Sequence, residues 1–120
     1  MQYLCLMNIE NAQAQMRKGV LEFCILAIIS EGEIYPTDVI SRLKESNLLV
    51  AEGTVYPLLN RLKTMELLSY KWVESNSGPP RKYYQLTDTG RKFLSELDKT
   101  WQELVHAVSI NTKNIKLTQQ

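Results

Sequence analysis

Spanning 120 residues, of which 44% are hydrophobic and 22% charged, the chain has the size and balance of one globular domain, which excludes wholesale disorder. No apolar run reaches the roughly 18 residues that span a bilayer, and the opening MQYLCLMNIE lacks the basic and apolar regions of a secretory signal, so a cytoplasmic protein without a membrane partner is expected. The net charge of +1 hides an asymmetry: residues 54–92 carry seven basic side chains against three acidic ones, a basic centre suited to a local polyanion contact.

The first predicted element is a helix over 16–29, MRKGVLEFCILAII. Its apolar positions 20, 21, 23, 24, 25, 26, 28 and 29 cover more than one stripe, as in a buried central helix, and Gly32 stops it. Ahead of it, Met7 is an ordinary starting residue, which leaves 1–6 as a short extension. Pro36 opens a short second helix in which Val39, Ile40 and Leu43 share the inner side while Arg42, Lys44 and Glu45 lie outside. A third helix either begins with Thr54 as N-cap, placing Pro57 at its third position, or starts near Glu52, where Pro57 disturbs one backbone bond. Val55, Leu58, Leu59, Leu62, Met65 and Glu66 fall on its inner side, with Tyr56, Pro57, Asn60 and Thr64 opposite.

The period then changes from helical to alternating. LSYKWVES sets Leu68, Tyr70 and Trp72 against Ser69, Lys71 and Val73, with Trp72 read as core, and RKYYQLT is a second strand-forming run. Between them NSGPP carries turn residues, and its prolines forbid strand hydrogen bonding, so the hairpin tip is expected at 77–80. Thr87 caps a last helix whose Phe93, Leu97, Trp101, Leu104, Val105 and Val108 form one apolar stripe. It is expected to end near Ser109, with the polar tail 110–120 fraying. The expected fold class is mainly α with a β-hairpin, divided into a helical and hairpin domain over 11–87 and a long C-terminal helix over 88–109.

Three helices followed by a hairpin that abuts the third are the order of a winged helix-turn-helix, in which the second helix of the turn motif enters the DNA major groove. The third helix is then the reader. Tyr56 and Asn60 offer hydrogen-bonding groups, Thr54 and Thr64 small polar contacts and Lys63 a phosphate partner, with Pro57 on the same face and Arg61 at its margin. On the wing, Ser77, Arg81 and Lys82 suit backbone phosphates. The plainer reading stays open for each: a solvated polar face, with Tyr56 packed beside the wing. A protein-protein interaction module of the same fold, without DNA binding, is the competing function, and the near-neutral overall charge favours it. Enzyme chemistry has no motif here, neither a Gly-rich phosphate loop nor a nucleophile beside a base, and no cofactor or metal is expected. Cys5, Cys24 and His106 lack ligand spacing; Cys24 reads as a buried thiol and Cys5 as incidental.

The segments EGTVYPLLNRL (52–62) and GPPRKYYQLTDTG (78–90), in that order and separation, resemble the PadR family of bacterial transcriptional regulators. That family carries a similar helix ending in Tyr-Pro-Leu-Leu-x-Arg-Leu and a wing strand with Arg-Lys-Tyr-Tyr-x-Leu-Thr and a following Gly. The likeness covers about residues 16–108. It implies a winged-helix homodimer acting as a repressor on an inverted-repeat operator in double-stranded DNA. It also implies that 88–109 is the dimerisation helix, with Phe93, Leu97, Trp101, Leu104, Val105 and Val108 along its seam. The short C-terminal part is similar to a smaller subfamily that includes multidrug-binding regulators, in which a tryptophan on the dimerisation helix stacks on flat ligands between subunits. Trp101 stands at the matching place, which implies a small aromatic effector; read from the residues alone, it is a seam residue that need bind nothing. Two positions depart from the family pattern. Tyr35-Pro36 stands where Tyr-Gly is usual, and Glu66 replaces the Gly after the third helix, leaving that helix to run on or to end differently.

Overall fold

The computed structural model of the chain describes residues 2–48 and 51–118, with side chains from residue 8 onward except at 52. The reading of Cys5 lies outside these described side chains. The elements in order are α1 (Gln2–Ile29), α2 (Pro36–Glu45), a single 3-10 turn (Glu52–Thr54), α3 (Val55–Thr64), β1 (Leu68–Ser75), β2 (Gly78–Leu86) and α4 (Asp88–Thr112). Four helices and one antiparallel hairpin make a winged helix-turn-helix, as the sequence implies. Among the described residues, no helix is long and apolar enough to cross a membrane.

α1 begins at Gln2, well before the expected start near residue 16. Residues 8–15 have no apolar stripe to reveal a helix, but they are rich in Ala and Gln, which extend a helix already nucleated downstream at little cost. Its C-terminal half enters the core through Leu21, Ile25, Leu26 and Ile29. Cys24 is half-buried, and burial raises its thiol pKa. Against this half pack Val39, Ile40 and Leu43 of α2 and Val55, Leu59 and Leu62 of α3, all buried. The second and third helices therefore cross one apolar floor while their other sides stay in water.

Both helices of the turn motif stop by the same device. After α2, the Asn47 N–H donates to Lys44 O (3.0 Å) and the Leu48 N–H to Leu43 O (3.0 Å), with Asn47 at φ 61°. After α3, the Glu66 N–H donates to Lys63 O (2.9 Å) and the Leu67 N–H to Leu62 O (3.0 Å), with Glu66 at φ 64°. Each is a Schellman closure with a left-handed residue at its turn. The departure at Glu66 thus resolves: the helix ends where a glycine would end it. At the start of α3 the 3-10 turn already holds Thr54 in the helical region (φ −74°, ψ −30°), so its hydroxyl makes no cap. Pro57 is the third residue of α3, where its missing N–H has no intrahelical partner to lose.

β1 and β2 pair from Leu68↔Leu86 to Val73↔Arg81, then resume at Ser75↔Gly78 after a one-residue shift. The tip is therefore Asn76 and Ser77, not 77–80, and Pro79 and Pro80 lie inside β2. They fit because they occupy the bulged side of the shift on a two-stranded sheet, where a missing N–H breaks no essential rung. A short third rung comes from Ile34, whose N–H donates to Tyr84 O (3.1 Å) and whose O accepts from the Tyr84 N–H (2.9 Å). Trp72 is 61% exposed, which overturns its reading as core. It shares a strand face with buried Leu68, but that face continues past the body of the domain, so alternation alone misplaces its outer end.

α4 is capped as expected: the Gly90 N–H donates to Thr87 Oγ1 (2.9 Å), whose hydroxyl donates in turn to Glu66 O (2.7 Å). The Thr87 N–H also donates to Leu67 O (3.1 Å), clamping the start of α4 to the turn after α3. A side chain at Gly90 would collide with the Leu67 carbonyl, which explains the glycine that follows the wing strand. The helix runs to Thr112, beyond the expected end at Ser109, and the Asn111 and Thr112 side chains donate one turn back to Ala107 O (2.8 Å) and Val108 O (2.7 Å).

Candidate nucleic-acid interface

With Val55, Leu59 and Leu62 committed to the core, α3 turns Tyr56, Pro57, Asn60, Lys63 and Thr64 outward, all exposed. Tyr56 is 52% exposed. The Thr64 hydroxyl donates to the Asn60 main-chain carbonyl (2.9 Å), and the Asn60 side-chain amide has no partner among the described residues. The Lys63 ammonium lies 5.0 Å from the centre of the Tyr70 ring on β1. These five residues and the flank of the wing form one open surface.

The remaining sequence-predicted residues divide. Arg61 turns back to α1 in an ion pair with Glu22, and Thr54 lies on that same side of α3, in a groove that also includes Leu21 and Leu58. Ser77 sits at the hairpin tip, its N–H 3.4 Å from Ser75 Oγ. Arg81 and Lys82, adjacent in β2, point to opposite faces of the strand. Lys82 faces α3, its ammonium 4.4 Å from the Tyr70 ring and 5.3 Å from the Trp72 ring. Arg81 faces the start of α2, where its guanidinium lies 3.5 Å from the Tyr35 ring and donates to Thr37 Oγ1 (3.0 Å).

Tyr35 in turn stacks on Tyr83 at 4.1 Å and 17°. The Tyr83 phenol is pushed above its ordinary pKa, first by its hydrogen bond to Tyr35 and then by desolvation. An arginine and two tyrosines thus tie the wing to the N-terminus of α2. The Tyr35 N–H donates to the Asp38 carboxylate (3.3 Å), which holds the chain entering α2 ahead of Pro36. Sequence reading missed Tyr35, Thr37 and Tyr83 as partners of Arg81. The available signal was the strand period, which puts positions 81 and 83 on one face.

A second surface lies between α1 and α4. Trp101, 38% exposed, tilts against Phe23 of α1 at 6.3 Å. A cleft of about 570 Å³ runs beside it, lined by Met16 and Val20 of α1 and by Leu104, Val105 and Val108 of α4. Phe93 is exposed and Leu97 half-buried at the inner end of the same stripe.

The model of the transcriptional regulator PadR-like family matches residues 25–96. The chain belongs to the PadR-like family of transcriptional regulators. Both the outward face of α3 and the wing lie inside the PadR-like match, while Trp101 lies beyond it. Among solved structures, the chain is similar to a PadR-like transcription factor of Bacteroides fragilis at 55% identity, covering 82% of this chain and 96% of that one, with a TM-score of 0.69. It is similar to a PadR-like transcriptional regulator of Bacillus cereus at 39% identity, with coverage of 85% and 99% and a TM-score of 0.73. It also resembles Bacillus subtilis PadR in complex with operator DNA at 27% identity, over 65% of this chain and 46% of that one, with a TM-score of 0.59. These PadR-like relatives are regulators of transcription and not enzymes.

Proposed function

We propose that the protein is a sequence-specific DNA-binding repressor that acts as a homodimer on an inverted-repeat operator. The observation that carries this reading is the outward face of α3: a polar, unburied surface on a helix whose core face is already spent, flanked by lysines from two elements. With its side chains an α-helix is about 10–12 Å across, which fits a major groove about 12 Å wide. Asn60 and Tyr56 are the base-edge contacts of α3, Pro57 and Thr64 bring its backbone close, Thr54 touches the duplex from the margin, and Lys63 neutralises phosphate. Arg61, held by Glu22, reaches the duplex at the margin. Ser77, Arg81 and Lys82 grip the backbone from the wing. The relative from Bacillus subtilis, solved in complex with operator DNA, supports the same use of the fold. With DNA as its partner, the protein works in the cytoplasm.

In this reading residues 11–87 read DNA, 88–109 join two copies, and 110–120 are a polar tail. Phe93, Leu97, Trp101, Leu104, Val105 and Val108 form the seam, which is why so apolar a stripe is left open in one chain. A small planar aromatic effector enters the cleft beside Trp101 and favours a spacing of the two reading helices that no longer fits half-sites about 34–36 Å apart. An operator complex indifferent to every planar dye tested would remove the effector and leave the repressor.

Titration against a labelled mixed-sequence duplex at graded salt tests the backbone contacts. The logarithm of affinity should fall linearly with the logarithm of salt concentration, and Lys63→Ala, Arg81→Ala and Lys82→Ala should each reduce the slope by about 0.9. A slope indifferent to all three substitutions would overturn the placement of the duplex against α3 and the wing.

A further inference from the structure

We propose that the notch between α3 and the wing seats one sugar-phosphate strand of the duplex, with Trp72 and Tyr70 packing on deoxyribose and Lys63 and Lys82 holding phosphates. The inference rests on the DNA-binding reading and adds to it an aromatic surface that the outward face of α3 does not include.

Trp72 leaves most of its indole in water although it lies on the strand face that builds the core at its other end. A large aromatic exposed at the margin of a basic groove is a contact surface awaiting a partner. Tyr70 meets it edge to face at 6.2 Å and 88°, so the two rings make a corner rather than a loose pair. Lys82 from β2 and Lys63 from α3 both hold their ammonium groups over this corner. Thr64 and Ser69 border an open groove of about 710 Å³ on the same side, with Glu66 at its α3 end.

Charge pairing separates this notch from its surroundings. Lys71 is ion-paired with Glu33 at 2.8 Å, Arg61 with Glu22, and Arg42 with Glu31 at 2.8 Å. Among the described residues, Lys63 and Lys82 have rings for partners and no carboxylate, so their charge is not neutralised. Lys63 within the groove and Lys82 over the rings at its edge, against the single Glu66 that lines it, leave the notch cationic. A polymer that alternates anionic groups with apolar rings matches it, and a DNA strand is such a polymer: phosphates for the ammonium groups, deoxyribose faces for the indole and phenol. Lys63 and Thr64 belong to the notch and to the outward face of α3 alike, so a strand leaving the reading helix enters the groove directly.

The test uses the full chain with 5-fluorotryptophan at both tryptophans, Trp72 being assigned by Trp72→Phe. A mixed-sequence duplex is titrated in while binding is followed by fluorescence anisotropy of a label on the DNA. The expected result is a shift of the Trp72 fluorine resonance, with loss of its solvent isotope effect as the indole leaves water. Trp72→Ala should weaken binding several-fold without changing the salt slope, since an uncharged contact releases no counterion, and Trp72→Phe should restore most of the loss. If the duplex binds while the Trp72 resonance and its isotope effect stay fixed, the seat is overturned and the DNA reading stands. If the duplex does not bind at all, both fall. A polyglutamate peptide that shifts Trp72 where DNA does not would also overturn the seat and assign the notch to an acidic protein partner.

Discussion

Glu66 sits at φ 64°, a left-handed conformation that a side chain adopts only at a cost of about 1–2 kcal/mol. The cost is accepted because the same turn closes α3 and receives the Thr87 hydroxyl on the Glu66 carbonyl. Replacing Glu66 with Gly should therefore raise unfolding free energy by about 0.5–1 kcal/mol, the relief of strain being partly offset by the freer unfolded chain. Urea denaturation would show this as a higher midpoint at unchanged slope. Gly90 is the opposite case. A methyl group there meets the Leu67 backbone, which cannot turn aside as a side chain does, so Gly90→Ala should cost at least about 2 kcal/mol in the same assay. The two positions lie on either side of one clamp and respond with opposite signs. From sequence, Gly90 was legible only as part of a family motif, because its reason is a carbonyl more than twenty positions away in the chain.

At the scale of elements, the wing is fixed to α2 by the layered Arg81, Tyr35 and Tyr83 groups. If this stack orients Arg81 for the DNA backbone, Tyr35→Ala should weaken duplex binding nearly as much as Arg81→Ala, and the double substitution should be little worse than either alone. Tyr35→Phe keeps the ring and should stay near the parent. A fully additive double-mutant cycle would show that Tyr35 serves the fold alone. The helices α2 and α3 were legible because an apolar stripe against a polar face is a strong local signal. The N-terminal half of α1 carries no such stripe, so the sequence does not announce it. The hairpin existed in the sequence as alternation, but its tip was set too late, because two prolines suggest a turn when only a bulge is needed. Asn60, Lys63 and Tyr56 could be grouped from helical spacing alone. The opposite fates of Arg81 and Lys82, the pairing of Arg61 with Glu22 and the exposure of Trp72 depend on which elements pack on either side, which local sequence does not encode.

The molecule as a whole is elongated, 61 × 33 × 23 Å, with a radius of gyration of 17.9 Å. A compact domain of this length would have about 13.6 Å. The excess comes from α1 and α4, which run long and leave Met16, Leu104, Val105 and Val108 in the open. The proposed dimer would cover these side chains with a second copy laid against the same helices. On the proposed dimer, Leu104→Asp should give a folded monomer by sedimentation at concentrations where the parent chain sediments as two copies, with far-UV helicity retained. Because two half-sites are then no longer gripped together, its affinity for an inverted repeat should fall far more than its affinity for a single half-site.

The most direct measurement is selection from a library of random duplexes by the purified protein, with sequencing of the bound fraction in successive rounds. The expected outcome is an enriched inverted repeat with half-site centres one helical turn apart or a multiple of it, and Asn60→Ala should relax the preference at one position of each half-site while Lys63→Ala weakens all sequences alike. Retention of DNA without any enriched sequence, or no retention, would contradict a sequence-reading α3 and favour a winged-helix module that binds protein.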